Sequence, residues 1–101
     1  MSAFIQATTF GAKPGKYEEA HAEFKRWVAG FQEAGATVRL FREATDGSGM
    51  VTIAVEWPSA ERWAKGQEDS RLLEVQRRLS AGEMPFVISN IALLEELPLP
   101  S

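Results

Sequence analysis

The order of elements along this chain predicts an α+β domain of the form β-α-β-β-α-β. Two stretches carry apolar residues at steps of three and four, and each lies between runs rich in β-branched and aromatic residues. A polar, glycine-rich connection joins the two middle runs. The length of 101 residues suits one domain, whose folding buries only about 60–65% of the surface exposed by the unfolded chain.

The first strand is read over Ala3–Phe10 and ends at "GAKPGK", where Pro14-Gly15 marks a turn. From Lys16 to Ala34, residues Tyr17, Ala20, Phe24, Trp27, Val28 and Phe31 make one apolar helix face, and Gly35 closes it. "TVRLFREA" and "MVTIAVEW" follow as strands joined by Asp46-Gly47-Ser48-Gly49. A four-residue loop would pair Thr45 with Met50, Ala44 with Val51, Leu40 with Val55, Val38 with Trp57 and Arg39 with Glu56, so that the apolar faces coincide. A five-residue loop would mix the faces, which burial penalises at every position. Ser59 caps the next helix with Glu61 in its first turn. Its stripe of Ala60, Trp63 and Ala64 loses phase at "GQEDS", and a second stripe of Leu72, Val75 and Leu79 runs on to about Ala81 from a cap at Asp69. "MPFVISNIALLEEL" reads as a long fourth strand. The domain spans residues 1–97, and residues 98–101 form an extended C-terminal tail.

Two right-handed crossovers around a hairpin give a four-stranded antiparallel sheet of order 4-1-3-2 with helices on one face. The uncovered face is expected to carry Phe4, Gln6, Thr8, Arg39, Phe41, Ala54 and Glu56. That is too much apolar area to leave in water, and a second copy of the sheet is its simplest cover.

Composition excludes several functions. Hydrophobic residues make up 45% and charged residues 25%, which argues against disorder. A net charge of -3 without a basic cluster argues against nucleic acid. The absence of cysteine removes disulfides, thiolate nucleophiles and thiolate metal sites. "MSAFIQATTF" is not a signal peptide, and no segment approaches the ~20 apolar residues of a membrane span, so a cytoplasmic protein is expected.

"KPGKYEEA", "GATVRLFREATDGSGMVTIAVEWPSAERW" and the "LLEEL" ending together resemble the dimeric α/β-barrel superfamily of ferredoxin-like proteins, which includes antibiotic-biosynthesis-monooxygenase-like and NIPSNAP-like members. The resemblance spans nearly the whole chain. It implies a homodimer through facing sheets, with Arg39, Phe41 and Glu56 near the interface, and a ligand pocket between the helices and the sheet of each subunit. Haem-degrading relatives use an asparagine on the first strand, a tryptophan and a haem-ligating histidine in the second helical region. Here the first strand offers Gln6, Trp63 is suitably placed, and Leu72–Leu79 contains no histidine, so haem degradation is disfavoured. Cofactor-free, quinone-forming monooxygenation needs an activated aromatic substrate in a dry pocket with hydrogen-bond donors; Trp63, Tyr17, Asn90 and Arg42 are compatible with it, as would be the rims of many small apolar pockets.

The site residues have two readings. Trp27, Trp57 and Trp63 are either core or the walls of a pocket for a flat aromatic molecule, rimmed by Tyr17, His21, Arg42 and either Ser89 or Asn90. For catalysis, His21 or Tyr17 would move a proton, with no metal and no cofactor; the competing role for His21 is structural. Arg39 and Glu56 form a cross-strand ion pair, or Arg39 binds a substrate anion. The leading function is binding of a compact apolar or aromatic metabolite, with monooxygenase-like chemistry if it is an enzyme. The alternative is a non-catalytic ligand-binding or interaction homodimer.

Overall fold

A computed structural model describes residues 3–42 and 49–100. Its elements run β1 (Phe4–Ala12), α1 (Tyr17–Glu33), β2 (Thr37–Arg42), β3 (Val51–Trp57), α2 (Ala60–Gly66), α3 (Ser70–Ser80) and β4 (Phe86–Glu95). The strands form one antiparallel sheet of order β2-β3-β1-β4, as the crossover pattern predicts. The second helical region is broken in two at the glycine and polar residues where its apolar stripe loses phase.

Local chemistry sets the helix ends. α1 stops in a Schellman motif: Gly35 N–H donates to the Gln32 carbonyl at 3.1 Å and Ala36 N–H to the Phe31 carbonyl at 3.0 Å. Gly35 has φ +99°, the left-handed region that only glycine enters without cost. The Ser59 hydroxyl accepts from Arg62 N–H at 3.2 Å and caps α2. Asp69 precedes α3, and its carbonyl accepts from Leu73 N–H.

Two expectations about the sheet are corrected. The first is the hairpin register. Val55 pairs with Val38, Ala54 with Arg39, Ile53 with Leu40 and Val51 with Arg42, a shift of two residues from the four-residue-loop register. A shift of two preserves which face every side chain takes, so burial, which penalises odd slips, could not detect it. Val51 therefore does not pair with Ala44; Ala44 and Thr45 themselves lie outside the described residues. Arg39 still meets Glu56, diagonally, at 3.5 Å, while Thr37 stands directly opposite Glu56.

The second correction concerns β1. Phe4, Gln6 and Thr8 pair with Trp57, Val55 and Ile53, the buried side of β3, and so lie under the helices and not on the open face. The open face instead carries Ile5, Ala7 and Thr9 beside Glu56, Ala54 and Thr52. β1 has apolar residues at both parities, so its alternation did not identify the inner side; the pairing with β3 does.

The core lies between α1, α3 and the inner sheet face. Trp57, Ile53 and Val55 are its most completely buried side chains. An aromatic chain runs through it: Phe10 packs on Phe24 and Phe86, Trp27 stacks on Phe86 at 5.8 Å, and Phe31 bridges Trp27 to Trp57.

Candidate functional site

A cavity of about 120 Å³ remains on the inner side of the sheet, beneath α3. Its sheet wall comes from Gln6 and Thr8 of β1, Ile53 and Val55 of β3, and Ile88 and Ile91 of β4. Trp27 and Phe31 of α1 close one flank, and Leu72, Val75 and Leu79 of α3 cover it. Gln76 and Ile91 line the cavity and are also exposed, so its mouth lies between α3 and β4.

The polar groups form a directed chain. Trp57 Nε1 donates to Gln6 Oε1 at 2.9 Å, and Gln67 Nε2 approaches the same oxygen at 3.5 Å. Gln67 Nε2 also reaches the Trp63 carbonyl at 3.3 Å, and Gln76 Nε2 donates to Gln67 Oε1 at 3.4 Å. An indole N–H can only donate, which fixes the Gln6 side-chain oxygen toward Trp57 and leaves the amide nitrogen of Gln6 on the other side.

The break between α2 and α3 makes this arrangement possible. It puts Gln67 at the end of α2, and it puts Gly66 where a Cβ would overlap the Trp57 ring and come within 2.6 Å of its Cζ3. Trp57 can lie flat under α2 only because residue 66 has no side chain.

The structure divides the residues named from sequence. Trp27 lines the cavity, and Trp57 reaches it through Gln6. Trp63 packs on Phe4 at 5.8 Å, and its buried indole N–H has no hydrogen-bond partner among the described residues. Tyr17 and His21 are exposed and line a different, open recess with Phe10, Ala12, Phe24 and Val51. The Phe10–Trp27 contact, 5.8 Å between ring centroids, stands between that recess and the cavity. Arg42 is exposed at the end of edge strand β2 and is not a lining residue.

Asn90 pairs with Thr9 and so belongs to the open face, away from the pocket. Ser89 is skipped in the pairing of β1 with β4, which steps from Thr9–Asn90 to Phe10–Ile88, and its hydroxyl approaches the Thr9 carbonyl at 3.4 Å. This bulge reverses the parity of β4: Phe86 and Ile88 point inward before it, Ile91 and Leu93 after it. The alternation of "FVISNIALL" is ambiguous because no single parity describes the strand.

Sequence reasoning missed Gln67 and Gln76 as site residues and placed Gln6 on the wrong face. The loss of helical phase at "GQEDS" is the signal for Gln67, which the break places at the end of α2; no local pattern marks Gln76, an exposed residue of α3.

Among the described residues no cluster of three or more His, Asp or Glu could hold a metal, and no helix is long and apolar enough to cross a membrane. A polar cluster outside the cavity ties α1 to α3: Glu23 accepts from Arg78 of α3 at 2.8 Å and from Arg26 of its own helix at 2.6 Å. Burial pushes the Glu23 carboxyl up, but the hydrogen bonds and charges of Arg78 and Arg26 outweigh it and hold its pKa below the ordinary value.

The architecture defines a ferredoxin-like α+β domain with a cavity between its helices and sheet, the fold of antibiotic-biosynthesis-monooxygenase-like proteins. Solved structures that share it include Rv0793 from Mycobacterium tuberculosis, 14% identical, covering 100% of this chain and 98% of that one with a TM-score of 0.69. SnoaB from Streptomyces nogalater, a cofactor-independent oxygenase, is 17% identical over 99% of this chain and 94% of its own, with a TM-score of 0.63. An antibiotic biosynthesis monooxygenase aligns over 99% of this chain and 100% of its own at 14% identity and a TM-score of 0.65. No protein-family model and no curated protein sequence matches the chain.

Proposed function

We propose that this protein binds a compact apolar or aromatic molecule in the cavity beneath α3. The observation that carries the reading is the cavity itself: mostly apolar walls, an open mouth at Gln76 and Ile91, and one amide chain to orient a ligand. The likeness in fold to SnoaB, a cofactor-independent oxygenase, favours a second reading in which the bound molecule reacts with oxygen. Binding stands ahead of catalysis, because His21 and Tyr17, the candidate proton carriers, line the other recess. Titration of tryptophan emission with phenols and quinols, followed by oxygen uptake, tests both readings. Saturable binding without oxygen consumption supports a ligand-binding protein and removes the oxygenase reading for those compounds. Failure to bind any of them removes both.

We also propose that two copies pair through their open sheet faces. The middle row of that face reads Arg39, Ala54, Ala7, Ala92 across the four strands, and its three alanines on β3, β1 and β4 let another sheet approach closely. Phe41 and Leu94, each 51% exposed, flank it. Light scattering at micromolar concentration is expected to give twice the 11.2 kDa chain mass, and Ala54→Arg is expected to return it to one. A wild-type mass of 11.2 kDa would refute the pairing.

A further inference from the structure

The charge and hydrogen-bonding capacity of the cavity narrow the class of ligand further, an inference that rests on the binding reading above. Among the described residues that line it there is no Asp, Glu, Lys, Arg or His. A charged group entering such walls would lose its hydration without gaining a counter-charge, a loss that buried sites avoid. The ligand's inserted part is therefore uncharged.

Volume limits its size. A cavity of about 150 Å³ lined by apolar side chains accommodates one benzene ring. At about 120 Å³, this one takes no more than a single ring, and any further part of the ligand must lie in the mouth past Gln76 and Ile91.

Polarity fixes what the ring carries. Gln6 Oε1 already faces two donors, Trp57 Nε1 and Gln67 Nε2, which match its two lone pairs. What Gln6 offers the cavity is its amide N–H, a donor. Thr8 lies two residues along the same face of β1 and brings a hydroxyl that donates as readily as it accepts. Together they match an oxygen acceptor on the ligand.

We infer that the cavity selects an uncharged, single-ring molecule bearing a hydroxyl or carbonyl oxygen, held by Gln6 and Thr8, and rejects carboxylates and fused-ring compounds. The probes are p-cresol, toluene, benzoate and a three-ring anthrone, each titrated against the full chain with the tryptophan indole N–H resonances as reporters. Trp57 N–H, bonded to Gln6, is expected to move most. The cresol dissociation constant is expected to lie at least tenfold below those of toluene and benzoate, and the anthrone is expected to leave the Trp57 resonance in place. Thr8→Val, which keeps the shape of the wall, is expected to weaken cresol several-fold and leave toluene unchanged. Benzoate or the anthrone binding as tightly as cresol, or toluene doing so, would overturn the selectivity while leaving the cavity a binding site. If none of the four binds, the binding reading itself fails, and this inference with it.

Discussion

Replacing Gly66 with alanine isolates the contact that lets Trp57 sit under α2. At an ordinary helical position the change stabilises, because alanine exceeds glycine by about 1 kcal/mol in helix propensity. At position 66 the new methyl would lie within 2.6 Å of Trp57 Cζ3, so the ring must retreat by about 1 Å to reach normal contact. Trp57 has little room to do so: it is fully buried and its indole is tied to Gln6. Overpacking of this kind costs about 1–3 kcal/mol. With the propensity gain subtracted, Gly66→Ala is expected to destabilise by up to about 2 kcal/mol and lower the melting temperature by about 4–8 °C per kcal/mol. The matched control is Gly30→Ala in α1, where the added methyl meets only Leu72 Cδ2 at 3.9 Å, an ordinary contact. It is expected to stabilise by up to about 1 kcal/mol. Both variants are measured by urea unfolding at one protein concentration, followed by tryptophan emission and circular dichroism. A Gly66→Ala protein more stable than its parent would refute the close-packing account, as would a Gly30→Ala protein that loses more than Gly66→Ala.

Three further outcomes are expected. Ser59→Ala removes the side-chain cap of α2 and costs about 1 kcal/mol in urea unfolding, whereas a loss near zero would mean the cap is frayed in solution. Gln6→Leu leaves Trp57 N–H buried without an acceptor and costs about 1–3 kcal/mol; a neutral result would show that water or another group replaces Gln6. Glu23→Gln weakens the bridge from α1 to α3 and costs about 1–2 kcal/mol at pH 7, at the low end for charged hydrogen bonds because Arg26 is largely exposed. Because the folded pKa of Glu23 is depressed, its contribution is present above the ordinary value of 4.5 and is lost as pH falls through the folded value. The stability gap between parent and Glu23→Gln should therefore be constant above about pH 5 and close on further acidification; a gap that widens would contradict the assignment.

Local sequence pattern specifies the order of elements, from which crossover handedness gives the strand order; it also specifies the capping of α2 by Ser59, the glycine end of α1 and the break in the second helical region. The elements, their caps and the break depend on chemistry within a few residues or on a periodicity of 2 or 3.6, and local patterns record such things faithfully. The remaining features come from long-range packing. A two-residue register shift leaves every face unchanged, so the true partner of Arg39 was invisible until β2 and β3 were paired. β1 is apolar on both sides, and only pairing with β3 turns Gln6 and Thr8 inward. In β4 the bulge at Ser89 reverses parity mid-strand and sends Asn90 away from the pocket. The cavity gathers Gln6, Gln67 and Gln76 from β1, the end of α2 and α3, while His21 and Tyr17 fall behind the Phe10–Trp27 wall. Which side chains share one small volume follows from how packed elements meet across tens of residues, and no local period encodes that.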